Sequence, residues 1–597
     1  MCGIIGYCGN GIVEKEIISG LQKLEYRGYD SSGILTVLHN KFDIVKSVGK
    51  IEELDKKISH YSNSICGIGH TRWATHGKVS EINAHPHYSN DKLYGIVHNG
   101  IIENYSQLKE NVLNGYTFYS ETDTEVIANL FEYNHKNNNI LTEKDVMFNI
   151  IKSAKELKGS YSLCSVCSLF NDVIFLAKNK SPLYVATNSH ESLVGSDVCC
   201  FDKKFKDYYE LNDYEFVIVH KNYCEFYDIN CNKLDKKPIK LTSLDIISNI
   251  DKSKSYMLNE IYQIPSVLKN ILDKYKDGKI FSKIKQNFNN IVLIGCGTAY
   301  HACRIGRMYI NEFSDIETHS YIASEFNCNK KHIDKNTLCI FVSQSGETFD
   351  TLQALKYVKS KNAKSIAITN VTHSTLSKKC KYIFPLFAGP EIAVASTKAY
   401  NCQLLILLLF AYYMFNNEKY DTFIKNAYKY IKNFDIKKLS EIIYLKDTIK
   451  NSSNLFLLGK NYDYITACES SLKIKEITYL TVESHPSGEL KHGYIALIDK
   501  NSTAIIINTE KSLFTTSLMT CSEIKARDGK VILITSSYNK KDSLPNVDYL
   551  IKLPKVSKLL APILSIIPLQ LLSEKISRDR GINPDKPKNL AKSVTVQ

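Results

Sequence analysis

The chain of 597 residues is short of several things, and each shortage closes off a class of protein. Its longest apolar run, residues 404–415, spans about a dozen positions, fewer than the ~20 of a membrane-crossing helix, and reads as a buried helix. Residues 1–11 carry no basic stretch ahead of their apolar positions, so no secretory signal is expected. The 17 cysteines form no regular framework, which points to reduced thiols and a cytosolic setting. Cys164 and Cys167 have CxxC spacing, but they sit in an alternating, strand-like run without a second pair and read as structural. The formal charge is +14, yet the lysines are scattered among asparagines. With no arginine-rich or aromatic-interleaved patch, nucleic acid is not an expected partner, and only a mild pull on anionic substrates remains. His70, His76, His85, His87 and His98 lack a carboxylate or cysteine at metal-ligand spacing, so no metal site is expected. There is 1 tryptophan, Trp73.

What is present is a globular composition, 44% hydrophobic and 23% charged, over a length that predicts three or four domains. Residues 1–238 are rich in short strand patterns, at 33–38, 94–98, 161–166, 173–177 and 216–220, with helical patterns at 14–24 and 123–133. An α+β domain of stacked antiparallel sheets is expected there. Residues 239–255 are polar, lack a sustained period and read as a linker. Beyond them the chain repeats itself at an offset of about 165 residues: 291–295 is echoed by 455–459, 338–342 by 504–507, and 364–369 by 530–535. Apolar strands alternating with helices make parallel βαβ units. Two α/β subdomains with parallel sheets are therefore expected, 256–425 and 426–588, followed by a tail, 589–597, without a packing pattern of its own.

The candidate chemistry begins at Met1-Cys2-Gly3-Ile4-Ile5-Gly6. Once Met1 is trimmed, Cys2 holds a thiol nucleophile and an α-amine that can serve as its base. Read alone, a cysteine in second place is more often an ordinary small apolar residue. Polar clusters follow between the strands, around Arg27, over 69–77, over 83–87, at His98-Asn99-Gly100 and over 120–124. Together Cys2-Gly3-Ile4-Ile5-Gly6, the Arg27 loop, Thr71-Arg72-Trp73-Ala74-Thr75-His76-Gly77, His98-Asn99-Gly100 and Thr122-Asp123-Thr124-Glu125 resemble the class II glutamine amidotransferase domain. The resemblance implies an N-terminal-nucleophile fold, two stacked antiparallel sheets between helices. It implies that Cys2 attacks glutamine, that Asn99 and the N–H of Gly100 form the oxyanion hole, and that Arg27 holds its loop over the nucleophile. Arg72, Thr75, His76 and Asp123 would line the glutamine pocket. The residue types suit these roles: a guanidinium grips a carboxylate through two parallel bonds, and paired N–H donors stabilise a tetrahedral oxyanion. Trp73 is either a core aromatic or, as the resemblance implies, a gate for ammonia.

In the second half, Ser343-Gln344-Ser345-Gly346-Glu347-Thr348 follows a strand and opens a helix. Hydroxyls with free N–H groups at such a place cradle a phosphate without a metal, though a capped helix start reads the same way. Glu469, Lys473 and Glu476 share one helix face. They read either as a solvated salt-bridge face or, given the apolar flanks Ala467, Leu472, Ile474 and Ile477, as a site on a packed helix. Lys592 read alone is an exposed terminal lysine. The hydroxyl loop resembles the SIS (sugar isomerase) domain. The whole chain, with Val394-Ala395-Ser396-Thr397-Lys398-Ala399 and Gly488-Glu489-Leu490-Lys491-His492-Gly493, resembles the family of isomerizing glutamine–fructose-6-phosphate aminotransferases.

That resemblance implies conversion of fructose 6-phosphate and glutamine to glucosamine 6-phosphate and glutamate, the first step of hexosamine synthesis, with ammonia passed through an internal channel and no cofactor. Ser343, Gln344, Ser345 and Thr348 would hold the phosphate, and Val394 and Ala591 would touch the sugar. Lys592 would form the Schiff base, Glu476 would move the proton between C1 and C2, Glu469 and Lys473 would support the site, and His492 would come from the neighbouring subunit of a homodimer or larger oligomer. The tail would order only when sugar binds. Three positions depart from the family: Ala299 stands where a phosphosugar-contacting Ser is usual, Asn259 replaces a Lys, and Tyr494 replaces a Pro. A glutaminase joined to a SIS domain for another ketose phosphate is the alternative among enzymes. A non-catalytic phosphosugar sensor would have lost Cys2, Glu476 or Lys592, and all three are present.

Overall fold

Val13, Ile17, Leu21 and Leu24 recur along one face of the helix Val13–Leu24 and are all buried. They cover an eight-stranded antiparallel sheet that runs from Ile239–Lys240 through Asp207–Glu210, Tyr184–Thr187, Glu191–Gly195, Gly3–Gly9, Cys66–Arg72 and Ser31–Leu38 to Lys41–Val48. A seven-stranded antiparallel sheet, with Tyr94–Ile102, Gly159–Cys167 and Ile174–Asn179 near its middle, stacks on it. Ile4, Leu35 and Ile68 of the first sheet interleave with Val97, Val166 and Leu176 of the second. Helices Thr124–Lys136 and Glu143–Ala154 cover the outer face of the second sheet. The result is helix, sheet, sheet, helix, as the alternating strands require. This is the unit Met1–Asn249.

The structure is a computed structural model that describes residues 2–73, 77–138, 140–241, 253–284, 288–329, 333–372, 374–538 and 544–594. Thr75 and His76, and residues 242–252 of the expected linker, lie outside the described residues.

The second unit, Ile250–Gln597, holds two five-stranded parallel sheets of the same strand order. The first runs Glu317–Ile322, Asn290–Gly295, Thr337–Val342, Lys364–Thr369, Tyr382–Pro385, and the second Val482–Pro486, Leu455–Gly459, Thr503–Asn508, Lys530–Thr535, Tyr549–Lys552. In both, the first strand in sequence ends on a glycine that must lie against the following helix. A Cβ on Gly295 would sit 2.9 Å from the backbone of Ala299, and one on Gly459 would sit 2.5 Å from that of Asp463.

The structure corrects two expectations and lengthens an element that it otherwise bears out. Ile239 and Lys240 are not linker: they pair with Tyr208 and Asp207 as an edge strand, and a two-residue strand has no period to read. Position 425 is no boundary, because it lies inside the helix Tyr420–Lys432, whose Phe423, Ile424, Ala427 and Ile431 are buried. The apolar run 404–415 is part of a longer helix, Lys398–Phe415, of 18 residues with mean hydropathy 1.2, long and apolar enough to cross a membrane by length and composition. It packs inside the unit instead, 83% buried, and its buried Asn401 Nδ2 donates to the carbonyl of Ile563 at 2.6 Å.

Candidate functional site

The pairing of Gly3 with Thr71 sets Cys2 beside Arg72 and Trp73. The Trp73 N–H donates to Cys2 Sγ at 3.2 Å. Burial raises the thiol's pKa, while the positive chain terminus, that N–H and Arg72 oppose the rise. Asn99 comes from the facing sheet, and its Nδ2 donates to the Cys2 carbonyl at 3.0 Å. The same amide is fixed from behind. His70 Nε2 lies 3.0 Å from Asn99 Oδ1 and 3.1 Å from the carbonyl of His98. Burial pushes His70 down to about 3, so near neutral pH it is uncharged and carries its proton on Nε2, facing two acceptors. Gly100 has φ +143°, and a Cβ there would lie 2.0 Å from the carbonyl oxygen of Ser160, so only glycine continues the strand.

Arg27 is buried and ion-paired with Asp197. The carbonyls of Gly77 and Lys78 lie 3.3 and 3.4 Å from the Arg72 guanidinium. Asp123 accepts the N–H of Ile102 at 2.7 Å. Trp73 is half-buried, edge-on to Tyr29 with centroids 5.5 Å apart, and so is not a core aromatic. His85 and His98 both bond Thr124, at 2.8 and 3.0 Å, and His87 bonds Thr122 at 3.1 Å. Among the described residues no group of three or more His, Cys, Asp or Glu is placed to hold a metal.

In the second unit Ser343 Oγ accepts the N–H of Gly346 at 3.0 Å and lies 3.1 Å from the Thr348 hydroxyl. Thr348 precedes helix Phe349–Ser360, but its side chain makes no capping bond, so capping does not account for the loop's hydroxyls. Half-buried Gln344 and Ser345 continue the loop. The tail is expected to order only with sugar; among its described residues, 589–594, Lys592, Ser593 and Val594 find partners without it. Ser593 Oγ lies 2.9 Å from Ser345 Oγ, and the carbonyl of Val594 accepts the N–H of Phe349 at 3.0 Å. Lys592 is not exposed. Its side chain is 6% accessible, and its ammonium is 2.6 Å from Glu391 and 2.8 Å from the carbonyl of Ala393, beside Val394. Ala591 is half-buried next to it.

Glu391 also accepts from the Ser396 hydroxyl and from the N–H groups of Thr397 and Ala399, at 2.9, 2.9 and 3.0 Å. Burial pushes its carboxyl up, but the charge of Lys592 and these bonds outweigh it, and its pKa is lowered. From the second copy, helix Tyr462–Thr478 brings Lys473, 2.5 Å from Glu476 and 3.6 Å from Glu469. Burial lowers the Lys473 pKa, while Glu476, Glu469 and the more distant Glu391 raise it, with a net rise. Glu469 is fully buried and bonds Thr298 at 3.1 Å and His301 at 2.7 Å, so it is not a solvated surface charge. His492 is exposed, and among the described residues no bond joins it to this cluster. Tyr494 stacks on His485 at 3.5 Å, and Asn259 donates to the carbonyl of Ser255 at 2.9 Å.

The glutamine amidotransferase domain family matches residues 43–206, and the SIS domain family matches 285–413 and 448–574. Over its whole length the chain is 37% identical to the whole of a Clostridium acetobutylicum protein named glutamine–fructose-6-phosphate aminotransferase [isomerizing], and 38% identical to the whole of its Fusobacterium nucleatum namesake. The chain belongs to the glutamine–fructose-6-phosphate aminotransferase family. In fold, 56% of the chain is similar to 99% of the C-terminal domain of glucosamine-fructose-6-phosphate aminotransferase from Francisella tularensis, at 31% identity and TM-score 0.51. Cys2 and Arg27 lie outside the span matched to the amidotransferase family, so their place rests on the geometry above.

Within this family setting, four residues not singled out for the site join it: His70 behind Asn99, His301 and Thr298 beneath Glu469, and Glu391 against Lys592. The signal for Glu391 was its place three residues before Val394. In the sequence His70 offers itself only as a metal ligand. Nothing local marks Thr298 or His301, whose partner is about 170 residues away in sequence.

Proposed function

We propose that the chain converts fructose 6-phosphate and glutamine to glucosamine 6-phosphate and glutamate. The observation that carries the reading is the burial of Lys592 beside the hydroxyl loop of the first copy, in the charge field that also holds Lys473 and Glu476. An ammonium with a carboxylate partner can hand over a proton, and the free amine then attacks a ketose carbonyl, forming a carbinolamine and, with loss of water, a Schiff base; ammonia adds to that imine carbon and expels the lysine amine, leaving the sugar imine. Ser343, Ser345 and Thr348 supply hydroxyls for the phosphate. Glu476, held by Lys473 at the accessible edge of its helix, takes a proton from C1 and returns one at C2.

At the other site, removal of Met1 frees the Cys2 amine. That amine takes the thiol proton, and the sulfur attacks the glutamine amide carbon. The second N–H of Asn99 and the Gly100 N–H receive the oxyanion, ammonia leaves with the proton returned by the amine, and water, giving a proton to that amine, then hydrolyses the thioester to release glutamate and restore the thiol. Arg27, Arg72, Trp73, Thr75, His76 and Asp123 are assigned to the glutamine pocket, and Gln344, Val394, Glu469 and Ala591 to the sugar site. The exposed place of His492 supports a homodimer in which His492 of the partner subunit completes the sugar site. We place the enzyme in the cytoplasm.

The test is product analysis of the purified protein with fructose 6-phosphate and amide-¹⁵N glutamine. Glucosamine 6-phosphate carrying ¹⁵N is expected, and sedimentation is expected to show at least a dimer. Glutamate release without any amino sugar sinks the reading.

A further inference from the structure

The two copies share a backbone detail at the start of the helix after their first strand. Gly297 has φ 51° and ψ −124°, and Asn461 has φ 55° and ψ −125°. Gly295 and Gly459 each press on the backbone four residues further along, at Ala299 and Asp463 respectively. Ala299 and Asp463 therefore occupy the same place, on the first turn of a helix that faces the loops at the strand ends. In the first copy the residue at that place is the buried Ala299, whose methyl carries no charge.

In the second copy the place is filled. The Asp463 side chain is 1% accessible. One carboxylate oxygen accepts the N–H of Thr509 at 2.7 Å, and the other accepts its hydroxyl at 2.7 Å. Thr509 is the first residue beyond the strand Thr503–Asn508, as Ser343 is the first beyond Thr337–Val342. An N–H and a hydroxyl at a strand end, both donating to one anion, is the pattern by which such a loop holds a phosphate. Here the anion belongs to the chain.

Space for a ligand exists next to it. A cavity of about 350 Å³ is bordered by Thr509, Lys511, Ser512, Ser536 and Ser537, with Glu510 also on its wall. We propose that Asp463 is the residue that restricts phosphosugar binding to the first copy, its carboxylate occupying in the second copy the place of a substrate phosphate. The inference rests on the assignment of the first copy's hydroxyl loop to the phosphate. It gives the duplicated fold one working cradle and one closed by a built-in anion.

Calorimetric titration of the full chain with fructose 6-phosphate tests it. The wild type should bind one equivalent per chain. Asp463→Ala should bind two, and should still bind one when Ser345→Ala and Thr348→Ala are added. One equivalent for a folded Asp463→Ala protein, or two for the wild type, overturns the proposal; none for the wild type overturns the phosphate assignment instead. Because Asp463→Ala can fail to fold, the reciprocal change is the second arm. Ala299→Asp should weaken fructose 6-phosphate binding by roughly 100-fold through like-charge repulsion, with glutamine hydrolysis unchanged. Unchanged sugar binding in a folded Ala299→Asp protein also overturns the proposal.

Discussion

The two α/β copies have one strand order and one backbone path at the head of their first helix, yet they give the proposed sugar site different things. The first copy contributes strand-end loops, the hydroxyls of Ser343 and Ser345, and Glu391 against Lys592. The second contributes a helix, whose Glu469 reaches Thr298 and His301 of the first. Its own strand end is tied to Asp463. The comparison teaches that a duplicated scaffold does not carry function by itself; in the proposed reading a few side chains at equivalent places decide which copy binds and which supports.

The largest expected effect lies in the first copy. Lys592→Arg keeps a cation for Glu391 but cannot form a Schiff base, so amino-sugar formation should fall on the order of 10³-fold, with glutamine hydrolysis retained. An assay of both products checks it, and activity within tenfold of wild type assigns the imine elsewhere. The stability counterpart is Glu391→Ala. It leaves a buried ammonium without its carboxylate and should destabilise the second unit by about 3–5 kcal/mol in chemical denaturation. A change under about 1 kcal/mol would mean that Lys592 has turned to water, and that the pair does not order the tail.

How much of this was legible in the sequence follows from distance along the chain. Cys2, Arg72 and Asn99 each sit in a short polar cluster next to an alternating strand, and antiparallel pairing such as Gly3 with Thr71 then brings the clusters together. The duplicated sheets were legible because buried parallel strands are continuous apolar runs. The roles of His301 and Asp463 were not. Each is one polar residue in the first turns of an otherwise ordinary helix, and its meaning depends on a partner 168 or 46 residues away. The packed tail was missed because its partners are loop hydroxyls and backbone groups, which leave no periodicity.

The third prediction turns on the anion of the second copy. Burial pushes Asp463 up to about 7, with Glu510 adding to the rise and the two Thr509 bonds opposing it. Between about pH 4 and 7 the folded chain therefore holds a proton that the unfolded chain has lost, and stability falls as pH rises through that window. Asp463→Asn removes the titration. Its stability relative to wild type should climb with pH and level off above pH 7, with a total swing on the order of 4 kcal/mol. Denaturation series at pH 4.5 and 8 check it, and a constant difference would mean that Asp463 titrates alike in both states.

The smallest effect separates the two strand ends most cleanly. Thr509→Val keeps shape and backbone but removes the hydroxyl that donates to Asp463 at 2.7 Å. A hydrogen bond to a charged group contributes about 1.5–3 kcal/mol, a neutral one about 1 kcal/mol. The loss should therefore be about 1.5 kcal/mol at pH 8, where Asp463 is ionised, and smaller at pH 5, where the carboxyl is protonated. In the first copy Ser343→Ala removes a bond to the N–H of Gly346 at 3.0 Å, in which no titrating group takes part. That loss should be about 1 kcal/mol and the same at both pH values. Paired denaturation curves of the two variants make the measurement. If both losses are flat with pH, the Thr509 hydroxyl is not held by an anion. The two strand ends would then differ in sequence but not in electrostatics.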